Sequence, residues 1–304
     1  FMNFDKAFDL CVGFLKANLI PALWGHPGIG KSALGRLLAT KFDLEFIDLR
    51  LGTIEPVDLN GFIHKDMETG TFDYLPWAKF PLEKTPLPPG KKGWLIMLDE
   101  VNTAPRQHLA AAYKFLHDRM IGQYKLHPNV RIMLGGNLVG EGLAGALPSP
   151  LVSRVVHIVM NAELTPSVCK ILGPSVSAFL TNHPKFIYQE TTEPNTPFPT
   201  FRTWEMVEKY RIANGSVPLE ALSCIVGTSA AVSYVSYAQQ EEQLMDLVRG
   251  VEVFPLDRSQ ELIDYMSYDI TLLERHLHRF PGEWRVIAGT KVQSMKDGTD
   301  LNGN

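Results

Sequence analysis

The chain has 304 residues, of which 45% are hydrophobic and 20% charged, with a formal charge of −4. That is the make-up of a soluble globular protein long enough for about two cores, and not that of a general nucleic-acid binder with a basic surface. Residues 1–160 hold 17 Lys and Arg against 15 Asp and Glu, whereas 161–304 hold 12 against 18, so the acidic second half is a poor partner for a phosphate backbone.

No apolar run reaches the roughly 18 residues that a membrane span needs. The start has no basic n-region, apolar stretch and small-residue cleavage site, so a cytoplasmic protein is expected. The three cysteines, Cys11, Cys169 and Cys224, are far apart and odd in number. They suit buried thiols in a reducing compartment better than a disulfide framework or a zinc site.

In chain order, apolar residues at 4, 8, 11, 12, 14, 15 and 19 predict a helix over 4–18,. A short buried strand over 19–24 runs into a glycine-rich turn. A helix over 32–42 and a strand over 44–49 follow, and alternation on either side of Glu68-Thr69-Gly70 predicts a hairpin within 63–75,. Beyond a proline-rich stretch come an apolar strand over 94–98, a helix over 107–118, and buried strands over 130–134 and 155–160. Strands alternating with helices imply a parallel sheet with helices on both faces.

After residue 160 helical patterns dominate, over 166–182, 203–213, 219–238, 241–249 and 259–276. A Pro/Thr-rich connector over 191–200 interrupts them, and the polar tail over 294–304 is expected to fray. Tyr234, Tyr237, Tyr265 and Tyr268 recur at helical spacing and are read as core of this helical part. The division expected is an α/β core over 1–160, carrying a hairpin insert near 54–80, and a helical lid over 161–304 with a C-terminal extension.

The chemistry concentrates in the first half. Gly25-His26-Pro27-Gly28-Ile29-Gly30-Lys31-Ser32 fits GxxxxGK followed by Ser or Thr, between a predicted strand and a predicted helix,. Glycines let the backbone wrap so that N–H groups, including that of Ala33, point at phosphate oxygens beside the helix's positive end. Lys31 would reach the β and γ phosphates, and Ser32 would ligate Mg²⁺. The strand over 94–98 ends in Asp99 and Glu100, at the edge where α/β sheets bind ligands. Asp99 suits the Mg²⁺ shell, and Glu100 suits polarising the attacking water. Asn137 ends the next strand after Gly135-Gly136 and could orient the same water. Taken alone, Arg154 and Arg202 are unremarkable, although a guanidinium suits the charge developing on a transferring phosphoryl group.

The order GHPGIGKS, LIMLDE, LGGN, the Arg154 segment and FRTW resembles the AAA+ ATPases of the MoxR group, over residues 19 to about 212. The resemblance implies a P-loop α/β core followed by a smaller helical lid, with the hairpin insert facing a ring pore. It assigns Asn137 as sensor 1, Arg154 as an arginine finger acting on the adjacent subunit's nucleotide, and Arg202 as sensor 2. It further implies ATP and Mg²⁺ as cofactors, a hexameric ring, and remodelling of partner proteins, often ones with a von Willebrand factor A domain. Membrane association is not expected. Two departures stand out: Asn102-Thr103 replaces the Asn-Arg found in many relatives after the acids, and Leu138-Val139 follows Asn137 where Pro is common. A nucleic-acid translocase or GTP-driven restriction subunit is the alternative, with a nucleotide kinase behind it. The absence of a guanine-reading NKxD leans toward adenine.

Overall fold

Asn3 starts the first helix, its side chain accepting from the Lys6 amide at 3.0 Å. From there the computed structural model describes residues 1–297 except 69, 141–143, 192, 268 and 269, with only the backbone described at 241–247, 270 and 297. In α1 (Phe4–Lys16), Phe4, Ala7, Cys11 and Leu15 are buried. Steps of three and four residues place them on one stripe. Then follow β1 (Pro21–Trp24), α2 (Lys31–Lys41), β2 (Leu44–Arg50), α3 (Pro56–Asn60), β3 (Phe62–Lys65), β4 (Phe72–Leu75) and β5 (Gly93–Asp99). The α/β part closes with α4 (Arg106–Asp118), β6 (Met120–Ile121), β7 (Tyr124–Lys125), β8 (Val130–Gly136), α5 (Ser149–Val152) and β9 (Val156–Val159).

Five strands form one parallel sheet in the order β2-β5-β8-β1-β9. β5 and β8 are buried on both faces, which is why they read as apolar runs without alternation. On one face Leu34 and Leu38 of α2 join Leu95, Met97 and Met133. On the other, Ile96, Leu98, Ile132 and Leu134 meet Leu109 and Phe115 of α4. A Cβ on Gly35 would stand 3.0 Å from the Phe46 ring and 3.1 Å from the Met97 sulfur, so its glycine lets α2 lie close to the sheet. The fold is a five-stranded parallel sheet with helices on both faces, followed by a helical region.

That helical region comprises α6 (Pro166–Leu172), α7 (Pro174–Asn182), α8 (Phe201–Asn214), α9 (Leu219–Val226), α10 (Thr228–Gly250), α11 (Ser259–Met266), α12 (Ile270–His276) and α13 (Gly282–Asp297). Two helices expected as continuous, over 166–182 and 219–238, each break at a glycine. Gly173 and Gly227 take φ of +80° and +83°, a conformation that ends a helix and disfavours L side chains. The stretch over 241–249 is no separate helix but continues α10, and 259–276 divides into α11 and α12. α13 departs from the expected fraying tail, since the helix extends through Asp297 and buries Ala288 and Val292; residues 298–304 lie outside the described residues.

Side chains of α6–α10 merge into the same apolar cluster as α1 and α2, with Trp204 fully buried and its indole N–H donating to Phe186 O at 2.8 Å. A separate cluster gathers Phe254, Leu262, Met266, Phe280 and Val292. Tyr234 belongs to the first and Tyr265 to the second, with Tyr237 packed against the first; Tyr268 lies outside the described residues. Cys11 is buried, its thiol pushed up to about 12 by burial, which makes it inert,. Cys169 is half-buried and Cys224 exposed, so the expectation of uniformly buried thiols fails for these two. Among the described residues no helix is long and apolar enough to cross a membrane.

Candidate functional site

The C-terminal ends of β1, β5 and β8 lie side by side and feed one cleft of about 390 Å³. From β1 the chain turns through Gly28 and Gly30, at φ of +80° and +100°, into α2. Gly30 caps that helix with no side-chain hydrogen bond, leaving first-turn N–H groups to an anion, where the helix dipole also favours negative charge.

Lys31 is 7% exposed. Its ammonium donates to Gly25 O at 2.6 Å, His26 O at 3.0 Å and Asn137 Oδ1 at 3.1 Å. The expected phosphate-binding lysine and the expected sensor are thus in direct contact. Gly25 and His26 serve the site through these carbonyls, whereas Pro27 to Ala33 line the cleft. Ser32 Oγ donates to Asp99 Oδ2 at 2.8 Å. A hydroxyl beside a carboxylate is the hard oxygen pair that Mg²⁺ takes alongside phosphates and water. No group of three His, Cys, Asp or Glu among the described residues forms a protein-only metal cage.

Asp99 Oδ1 accepts from the Glu100 amide at 2.9 Å. Glu100 takes φ of +58°, a left-handed conformation costing a non-glycine residue about 1–3 kcal/mol and found where function over-determines the backbone. Its carbonyl is held by the Thr103 hydroxyl at 2.9 Å, while its side chain lines the cleft. Gly135 makes room for this arrangement, because a Cβ there would stand 2.5 Å from Asp99 Oδ1.

Asn102 holds Asn137 from behind, a role the sequence did not reveal. Its Oδ1 accepts from the Asn137 amide at 3.0 Å, and its Nδ2 donates to Asn137 O at 2.8 Å and Gly145 O at 3.2 Å. Position was the one available signal: the residue follows two acids at a strand end and is buried.

The helical region closes over the same loop. The Arg202 amide donates to Gly28 O at 3.1 Å, the Arg202 side chain lines the cleft, and the His26 ring stacks on Tyr188 at 4.6 Å. Thr200 caps α8 and lies so near Gly28 that a Cβ there would be 2.8 Å from its hydroxyl. Phe4, Val168, Ile171, Leu172 and Phe201 give the cleft an apolar wall, suited to the face of a planar base. Arg154 is not brought to this cleft. Its guanidinium donates to His117 Nδ1 at 3.1 Å and Pro150 O at 2.6 Å, and lies 4.9 Å over the Tyr113 ring.

Asp48 on β2 also lines the cleft. Burial and the neighbouring Asp99 push its carboxyl pKa up, opposed by Arg36, Arg50 and Lys79.

No family model and no curated protein sequence matches the chain. Among solved structures it is similar to a candidate ATPase from Cytophaga hutchinsonii, at 16% identity and a TM-score of 0.37, over 98% of this chain and 86% of that one. It is also similar to NtrX from Brucella abortus in complex with ADP, at 15% identity and a TM-score of 0.45, over 97% of this chain. The chain spans 65% of that NtrX chain. These likenesses are too weak to bear on function, which rests on the residues themselves.

Proposed function

We propose that the chain is an ATP-hydrolysing AAA+ ring ATPase of the MoxR type that remodels partner proteins. One observation carries the ATPase reading: Lys31, Ser32, Asp99, Glu100 and Asn137 converge where three adjacent parallel strands end, beneath a glycine-rich loop. Lys31 exchanges its carbonyl and Asn137 partners for the β and γ phosphates, which frees the Asn137 amide to orient water. Ser32 and Asp99 would hold Mg²⁺, whose charge would offset that building on the phosphates. Glu100 accepts the proton of the attacking water, and Arg202 stabilises the transferring phosphoryl group from the lid side.

The ring, its hexameric count and a von Willebrand factor A partner are what the resemblance to the MoxR group implies. Two features support them. Arg154 stands apart from its own phosphate loop, as a group serving an adjacent copy would. The β3–β4 hairpin exposes Phe62, Ile63 and Phe72, as a client-contacting element would.

Glu100→Gln tests the chemistry, because it keeps the shape and hydrogen-bonding capacity while removing the base. Phosphate release should fall about 100-fold or more with ADP affinity retained; hydrolysis at the wild-type rate overturns the assignment. The same variant held in ATP and recovered from its host should retain a von Willebrand factor A protein. Retention of nucleic acid or a nuclease subunit instead moves the protein to the translocase class.

A further inference from the structure

Ser32 and Asp99 do not exhaust the oxygen donors at the metal end of the cleft. β2 pairs in parallel with β5 so that Asp48 lies opposite Met97 and Arg50 opposite Asp99. Because side chains alternate along a strand, Asp48, Met97 and Asp99 share the sheet face on which α2 packs. Ser32 and Arg36 are one helical turn apart on α2, above that row. Ser32 reaches Asp99, and Arg36 Nη2 reaches Asp48 Oδ2 at 3.1 Å. The two contacts are parallel rungs between the same helix and neighbouring strands.

The rungs differ in one respect. Asp99 has both oxygens satisfied, by the Ser32 hydroxyl and the Glu100 amide. Asp48 has one oxygen on Arg36, while its Oδ1 is buried without a hydrogen-bond partner. A carboxylate accepts up to about four hydrogen bonds, and an unmet buried acceptor costs about 1–3 kcal/mol, more when charged. The side chain as a whole is 24% exposed and borders the cleft, so it is this one oxygen, not the entire carboxylate, that lies buried. Arg36 is 62% exposed at its side chain and rests on the Phe46 ring at 4.8 Å. Arg36, Arg50 and Lys79 supply positive charge around the half-buried carboxylate, yet the hydrogen bond from Arg36 falls on Oδ2 and leaves Oδ1 unmatched.

We infer that Asp48 is a second carboxylate of the Mg²⁺ site, acting on the ion through its hydration shell from the strand beside Asp99. Mg²⁺ keeps several of its waters when it binds with nucleotide phosphates, and those waters are strong donors to outer carboxylates. Asp48 is a positioning residue in this role: it orients the hydrated ion without touching the reacting phosphate, as outer partners of metal ligands commonly do. Arg36 neutralises the carboxylate while the ion is away.

This inference rests on the nucleotide-site reading above, and the test separates the two. The probe is Mn²⁺ in place of Mg²⁺, with its binding to the protein–ADP complex followed by electron paramagnetic resonance, so no turnover is read. Asp48→Asn should weaken Mn²⁺ binding roughly 10-fold, the low end of what loss of an outer-shell partner costs. ADP affinity in EDTA should stay within about twofold of wild type, because the phosphate loop is untouched. Arg36→Gln removes a cation but leaves the carboxylate, and should not weaken Mn²⁺ binding. If Asp48→Asn binds Mn²⁺ like wild type, or if Arg36→Gln weakens it equally, Asp48 is a packing residue and the inference fails. If wild-type protein holds no ADP with Mn²⁺, the nucleotide-site reading fails first. Removing this half-buried charge should not unfold the chain, and the thermal midpoint of Asp48→Asn without nucleotide confirms that the comparison is between folded proteins.

Discussion

The cleft at the ends of β1, β5 and β8 and the β3–β4 hairpin lie in the same half of the chain and obey opposite rules. At the cleft, the central polar groups are matched, Asp48 Oδ1 excepted: the Lys31 ammonium has three acceptors, Asp99 two donors, and Asn102 grips Asn137 at both backbone groups. At the hairpin, all four residues of β3 are exposed, with Ile63 at 68% and Phe72 on β4 at 73%. A catalytic site gains by fixing its dipoles in advance, since reorganisation during reaction raises the barrier. A contact surface gains by keeping apolar area uncovered for a partner. The difference predicts where a substitution is felt as chemistry and where only as binding.

The largest effect is expected at Lys31. Lys31→Ala removes the ammonium that is to meet the phosphates and leaves Gly25 O, His26 O and Asn137 Oδ1 without their donor. Loss of one member of a buried charged contact costs about 2–5 kcal/mol, so nucleotide affinity should fall about 100-fold. Titration with a fluorescent ATP analogue measures it. An affinity within threefold of wild type would show that the cleft's matched polar groups serve folding alone.

Asn102 sharpens the comparison one layer further out. Asn102→Ala releases the end of β8 without touching the phosphate loop. Misplacing a catalytic group by about 1 Å can cost up to about 100-fold in rate, so kcat should drop roughly 10-fold with KM nearly unchanged. Equal losses in kcat and nucleotide affinity would mean instead that Asn102 supports the whole cleft.

The two regions also differed in how far the sequence disclosed them. Lys31, Ser32, Asp99 and Glu100 were legible because each sits within a short motif at the junction of a strand with a turn or helix, where backbone geometry is local. The hairpin's strands were legible from alternation around Gly70. What holds it in place was not. Asp73 accepts from the Tyr124 hydroxyl at 3.0 Å and from the Gln123 amide, about fifty residues away in the chain. Asn102, Asp48 and the Tyr188 stack on His26 belong to the same class, being partners brought together only by the sheet and by the packing of the helical region. The breaks at Gly173 and Gly227 were missed for a related reason. Helical periodicity continues across a single glycine, and only the contacts of Gly173 with Glu208 and of Gly227 with Pro197 show that no other residue fits.

The smallest effect on the folded chain, and the clearest on a partner, is expected from Ile63→Ser combined with Phe72→Ser. The register sets Ile63 opposite Tyr74 and Lys65 opposite Phe72, so both substitutions fall on one face. That face points away from the side on which Asp73 is tied to β6–β7. Exposed substitutions remote from special features usually change stability by no more than about 0.5 kcal/mol, and ATP affinity should not move, because neither residue lines the cleft. Capture of a partner by the Glu100→Gln background should nevertheless fall about 10-fold, roughly the 1.4 kcal/mol expected when exposed aliphatic and aromatic area no longer enters an interface. If capture is unchanged, the hairpin's apolar face is not where partners bind. If ATP affinity falls as well, hairpin and cleft are energetically coupled in the isolated chain, and the division between a preorganised site and an open contact surface gives way to a single linked unit.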